Sequence, residues 1–123
     1  VVSSHDGEVV KWLGDGCLAV FAADNAPGAV AAARACSDSV RALAQDLALP
    51  LELGANVHLC TVADGEFGPQ NRRDVVGAGV IFAFRMGGGA GIRISEPVYR
   101  KLPSDQRAVW AKYQPPAVYT LTP

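Results

Sequence analysis

The stretch from Glu8 to Phe21 constrains what this chain can fold into more than any other. Val9, Val10 and Trp12 lie in a β-rich run, Asp15-Gly16 is a tight-turn signal, and Cys17 to Phe21 is a second apolar run. Two-residue hairpin turns need residues that tolerate positive φ, so the segment reads as a hairpin with Asp15-Gly16 at its turn. Cys17–Phe21 is apolar on both strand faces, which predicts a strand buried in the middle of a sheet.

The rest of the chain alternates between helical and strand patterns. Asp24 to Pro27 supplies an N-cap region with a proline early in the helix. Val30, Ala33, Val40, Leu43, Ala44 and Leu47 then recur at helical spacing to about Ala48, with Arg34, Asp38, Arg41 and Asp46 on the wet side. Leu51 to Val62 alternates like a strand. Asp64 to Arg73, with two glycines and a proline, reads as a polar loop. Val75-Val76 predicts a short strand, Gly79 to Met86 a short helix, and Gly87 to Gly91 a flexible connector. Ile92 to Ser95 predicts a strand and Ser95 to Leu102 a helix with Ser95 as cap and Pro97 early. Val109-Trp110 and Ala117 to Leu121 complete the strands. No internal repeat is visible, and the order suggests an α+β sandwich rather than a strict βαβ series.

With 123 residues, half of them hydrophobic and 19% charged, the chain is long enough for one globular domain with a modest core. Eleven Lys and Arg nearly balance twelve Asp and Glu, for a net charge of -1. That balance leaves no electrostatic footprint for nucleic acid or an anionic membrane surface. Cys17, Cys36 and Cys60 have no metal-ligand spacing and read as packing thiols in a reducing compartment. With no signal peptide and no apolar run long enough to span a bilayer, a cytoplasmic domain is the expectation.

Taken singly, the polar residues of interest have ordinary explanations. Asp15-Gly16 is simply a good turn, Lys11 a solvated strand lysine and Asp74 a loop aspartate. Together they form a pattern. The Lys11-to-Gly16 hairpin, the run from Phe67-Gly68-Pro69 to Arg72-Arg73-Asp74, and the helix carrying Ile81 and Arg85 resemble the catalytic domain of class III nucleotide cyclases, the adenylate and guanylate cyclase family. The resemblance extends from about Gly7 to Leu121. It implies a ferredoxin-like α+β fold, a mixed, mostly antiparallel sheet flanked by helices, working as a head-to-tail homodimer.

The resemblance also implies roles. Asp15 occupies the place of the second of two metal-binding aspartates, holding Mg²⁺ or Mn²⁺. The first sits on an earlier strand in the family, which this sequence lacks; Asp6 is too close and in the wrong context, so residues 1–123 are expected to be a fragment of a longer domain. Lys11 and Asp74 match the pair that reads the adenine edge, lysine donating to a ring nitrogen and aspartate accepting from the exocyclic amine. Guanylate cyclases usually carry Glu and Cys there, so this pair points to ATP. Arg72 and Arg73 precede Asp74 as in many members and could contact triphosphate, steady the dimer loop, or simply be solvated. Arg85 matches the arginine that neutralises charge developing at the α-phosphate. Ile81, four residues earlier, stands where the family has an asparagine that orients the ribose. Losing such a positioning contact costs on the order of a hundredfold in rate. Lys112 lies near a late lysine that contacts the terminal phosphates, in a segment about two residues shorter than the family's.

Two readings follow from these roles. One is an adenylate cyclase of reduced activity that converts ATP to 3′,5′-cyclic AMP and pyrophosphate in signalling. The other is a degenerate cyclase-homology module that dimerises and regulates a fused regulatory or effector domain. A relative of the fold that binds another ligand is a third possibility.

Overall fold

The computed structural model describes residues 1–113 and 118–121. A 3₁₀ turn over Ser3–His5 precedes the hairpin of β1 (Glu8–Leu13) and β2 (Gly16–Val20). The turn itself is Gly14-Asp15, one residue earlier than Asp15-Gly16, since Leu13 pairs with Gly16. Gly14 takes φ +64° at the first central position, where a glycine carries no Cβ penalty.

Helix α1 (Ala26–Leu47) follows, alanine-rich and with Pro27 in its first turn. Asn25 is its N-cap residue but makes no side-chain capping bond; its amide donates instead to the carbonyl of His5. The helix ends at Ala48 in the left-handed region, whose amide bonds back to the carbonyls of Ala44 and Gln45.

The central sheet has the order β3-β6-β8-β7. Strand β3 (Gly54–Val57) runs parallel to β6 (Gly91–Ser95), β8 (Val118–Leu121) is antiparallel to β6, and β7 (Trp110–Tyr113) is antiparallel to β8. Between β3 and β6 the chain makes a second hairpin of β4 (Ala63–Phe67) and β5 (Arg72–Val76), and then helix α2 (Ala78–Arg85). Two short helices, α3 (Glu96–Lys101) and α4 (Ser104–Arg107), lie between β6 and β7. The core forms where α1 and α3 pack on this sheet: Val30, Ile92, Ile94, Val98, Leu102 and Trp110, with Ile94 fully buried. Hydrophobic burial at these positions is the main force holding α1 to the strands. Among the described residues no helix is long and apolar enough to cross a membrane.

Several expectations need correction. Asp64–Arg73 is not a loop: Ala63–Phe67 and Arg72–Val76 pair as strands whose side chains are mostly exposed, so they carry no apolar alternation. The strand expected over Leu51–Val62 pairs only at Gly54–Val57, because its partner β6 gives way to α3 after Ser95. Strand β2 is not central. Among the described residues it pairs only with β1, leaving Cys17 exposed and Leu18 to Val20 half-buried. Cys60 is also exposed, so of the three thiols only Cys36 is partly buried, and none is in a disulfide. Ser95 does not cap α3 with its side chain. The last strand begins at Val118; Ala117 lies outside the described residues.

Candidate functional site

Strand β1 lies beside β5, and the two are joined by ion pairs. Lys11 Nζ donates to Asp74 Oδ2 at 2.9 Å, both side chains half-buried. The β1–β2 register shifts between Val9 and Lys11, a bulge immediately before the lysine. Bulges bend a strand and re-aim the side chains that follow, which is how Lys11 turns toward β5. The second oxygen of Asp74, Oδ1, accepts from the amide of Val75 at 2.8 Å, fixing the plane of the carboxylate. Its carboxyl is therefore held below the ordinary aspartate range, first by the Lys11 hydrogen bond and then by the Val75 amide. The group is an anion at neutral pH and can only accept hydrogen bonds.

Arg73, the neighbour of Asp74, grips a different pair. Its Nε and Nη2 donate to the two oxygens of Asp64 at 3.2 and 3.0 Å, and its Nη1 donates to Glu8. The arginine thus ties β4 and β5 to β1 and holds the Asp64 carboxyl low. Arg73 is engaged in structure. Arg72 has no such partner among the described residues.

The other predicted residues stand apart from the Lys11–Asp74 pair. Asp15 is exposed on the β1–β2 turn and makes no ion pair among the described residues. At about 3.3 Å per strand residue its backbone is about 10 Å beyond Lys11. Arg85 ends α2, exposed and likewise without a side-chain partner among the described residues. Ile81, one turn earlier, is 55% exposed. Lys112 is exposed on β7, opposite Tyr119 and in the central sheet rather than on the hairpins. Among the described residues no three His, Cys, Asp or Glu side chains gather to hold a metal ion.

Three polar arrangements around α2 escaped the sequence reading. Asn56 on β3 donates to the carbonyls of Ala83 and Gly87, and Arg93 on β6 donates to Asn56 Oδ1. His58 shares a 2.8 Å hydrogen bond between Nδ1 and Ser95 Oγ and packs against the ring of Phe82 at 4.6 Å. Burial pushes its pKa down. Gly87–Gly91, read as a flexible connector, is hydrogen-bonded to Asn56 and Arg93. The only sequence signal was a polar residue alternating on each strand; the register that joins them, 37 residues apart, is not local.

No known family profile and no curated protein matches this sequence. Solved structures do. The guanylyl cyclase Cya2 superposes with TM-score 0.81 at 25% identity, over 98% of this chain and 72% of that one. Two structures of bacterial light-regulated adenylyl cyclases superpose with TM-scores of 0.74 and 0.72 at 20% and 18% identity, again over 98% of this chain but 40% of theirs. The chain has the α+β fold of a class III nucleotide cyclase catalytic domain.

Proposed function

We propose that this domain is an adenylate cyclase that acts as a head-to-tail homodimer, converting ATP to 3′,5′-cyclic AMP and pyrophosphate. The observation that carries the reading is the Lys11–Asp74 pair: two residues 63 apart in sequence, brought to 2.9 Å on a cyclase fold. With no base bound each group satisfies the other. An adenine edge can replace that contact, taking a hydrogen bond from Lys11 at a ring nitrogen and giving one from its amine to Asp74. A base with the wrong donor pattern leaves one of the two unpaired, which is how such a pair discriminates. The likeness to a guanylyl cyclase is one of fold, and the choice of ATP rests on these two side chains.

In the reaction the ribose 3′-hydroxyl gives its proton to water as its oxygen bonds to the α-phosphorus, the bond from that phosphorus to the bridging oxygen breaks, and pyrophosphate leaves. Arg85 presents a guanidinium with no side-chain partner among the described residues, suited to neutralise the α-phosphate as its charge builds. Lys112 is assigned to the terminal phosphates. Asp15 fits the role of one carboxylate ligand to Mg²⁺ or Mn²⁺, an ion that binds through one or two carboxylates and substrate phosphates. A bound metal of this kind supplies Lewis-acid stabilisation of phosphate charge and activates the attacking hydroxyl. We propose a cytoplasmic setting for the domain, with a fused regulatory or effector module as its partner.

Ile81 favours a second reading, a degenerate module that dimerises without turnover, because an aliphatic side chain cannot hold the ribose. Cyclic AMP and cyclic GMP formation by the full-length protein with ATP or GTP and Mn²⁺ separates the two. Slow cyclic AMP formation, abolished in Asp15→Ala and raised tenfold or more in Ile81→Asn, is the expected outcome. No product from the protein or from Ile81→Asn would leave the regulatory reading, and cyclic GMP as main product would reverse the assignment of the base.

A further inference from the structure

Helix α2, which carries Arg85, is poorly anchored by apolar packing. It spans eight residues, none of them buried, and Phe84 is 56% exposed. Beside the buried C-cap residue Met86, its last turn is held by polar groups. The side-chain amide of Asn56 donates to the carbonyl of Ala83 at 2.8 Å and to that of Gly87 at 3.0 Å, on either side of Arg85. The carbonyl of Ala83 otherwise accepts only a 3.4 Å bond from the Met86 amide among the described residues, so a side-chain donor aimed at it steadies the helix end.

Asn56 is itself held. Its Oδ1 accepts from Arg93 Nε at 2.6 Å, and the two residues are direct register partners on the parallel strands β3 and β6. Arg93 also donates through Nη2 to the carbonyl of Gly89 at 3.0 Å. The loop lies so close to the strand that a Cβ on Gly54 would collide with the Gly89 carbonyl. Both polar groups therefore emerge from the central sheet, whose neighbouring residues Ile92 and Ile94 belong to the core. They reach a helix whose own eight residues include none that is buried.

We infer that Asn56 and Arg93 are positioning residues: a clamp that transmits the rigidity of the β3–β6 pair to the end of α2 and so sets where Arg85 points. The consequence for rate rests on the cyclase reading above; the clamp itself does not. Asn56→Ala removes both donors to α2 and its loop. Asn56→Asp keeps an acceptor for Arg93 but turns carboxylate oxygens toward the carbonyls of Ala83 and Gly87, a milder change for the fold of the strands. Arg93→Lys keeps the charge but loses the fork that reaches Asn56 and Gly89 together.

The experiment is amide hydrogen exchange on the full-length protein, with steady-state kinetics beside it. In both Asn56 variants exchange across residues 82–91 should quicken by about tenfold or more while β1 and α1 are unchanged, with Arg93→Lys between them and the wild type. The kcat should fall about tenfold with KM for ATP within about twofold, and Asn56→Asp should add little in an Arg85→Lys background, because a residue that acts through Arg85 cannot add independently to its loss. Unchanged exchange over residues 82–91 in both Asn56 variants would overturn the clamp, as would fully additive kinetic losses. If the wild type forms no cyclic nucleotide, the cyclase reading fails separately and the exchange result alone decides the clamp.

Discussion

Asp74 receives two hydrogen bonds from groups that prefer its charged form, and the sign of the resulting pH dependence follows. Its folded pKa lies below the ordinary 3.8. The stabilisation is complete above that value and is lost as pH falls through the lower folded pKa. Lys11→Met removes the leading cause, so the folded pKa should move back toward 3.8. The gap in melting temperature between wild type and Lys11→Met should be widest above about pH 4 and close as acid is added. A gap independent of pH would mean the lysine stabilises by packing alone. His58 acts over a different window. Burial lowers its pKa from 6.5, so the stability gained from the neutral ring is complete above 6.5 and lost as pH falls through the folded value. Its neighbours are Ser95, which is 1% exposed, and Phe82, neither of which offers a compensating charge. Thermal melts from about pH 7.5 to about pH 5 should show a smaller loss in His58→Gln than in wild type.

Elements end where their chemistry stops, and α1 ends in a strained way. Ala48 sits at φ 52° and ψ 42°, a left-handed cap that glycine adopts without penalty and alanine does not. Ala48→Gly should stabilise the domain by about 1 kcal/mol and raise its Tm by about 4 °C, read from a thermal melt; a lower Tm would show that the chain's unfolded entropy outweighs the strain. Helix α1 was legible because its apolar spacing, its early proline and its alanine content all agree. The first hairpin was legible too, though its turn falls one residue early, on the glycine that takes positive φ. The β4–β5 hairpin was not, because its strands cohere through backbone bonds and the Arg73 ion pairs rather than through an apolar face. Leu51 to Val62 failed in the other direction. The alternation is real, but a strand lasts only as long as its neighbour, and β6 turns into α3 after Ser95. At the site, Lys11 and Asp74 could be singled out by resemblance to known motifs. Asn56 and Arg93 could not, since only the parallel register puts them side by side.

On the scale of the whole molecule, the proposed machinery is divided. Lys11 and Asp74 meet between the hairpins, Asp15 lies farther along at an exposed tip, and Arg85 ends a helix with no side-chain partner among the described residues. The elements that carry these groups also expose large apolar side chains in the single chain: Trp12 on β1 is 72% exposed, and Leu13 on β1 and Ile81 and Phe84 on α2 are exposed as well. Burial of such groups would drive association, and the proposed head-to-tail pairing would bring Asp15 of one copy to the base-reading and Arg85 groups of the other. A variant lacking Asp15 and one lacking Arg85 would then each form dead homodimers, with both of their sites short of one group. A mixed dimer would hold one site with both defects and one with neither. Equal amounts of Asp15→Ala and Arg85→Ala, mixed and allowed to exchange, should therefore recover about a quarter of wild-type activity, since about half the dimers are mixed and each has one good site of two. Recovery should follow the rate of subunit exchange and fail when the partners are crosslinked before mixing. Full inactivity after complete exchange would place Asp15 and Arg85 in the same protomer's site and rule out the head-to-tail division of labour.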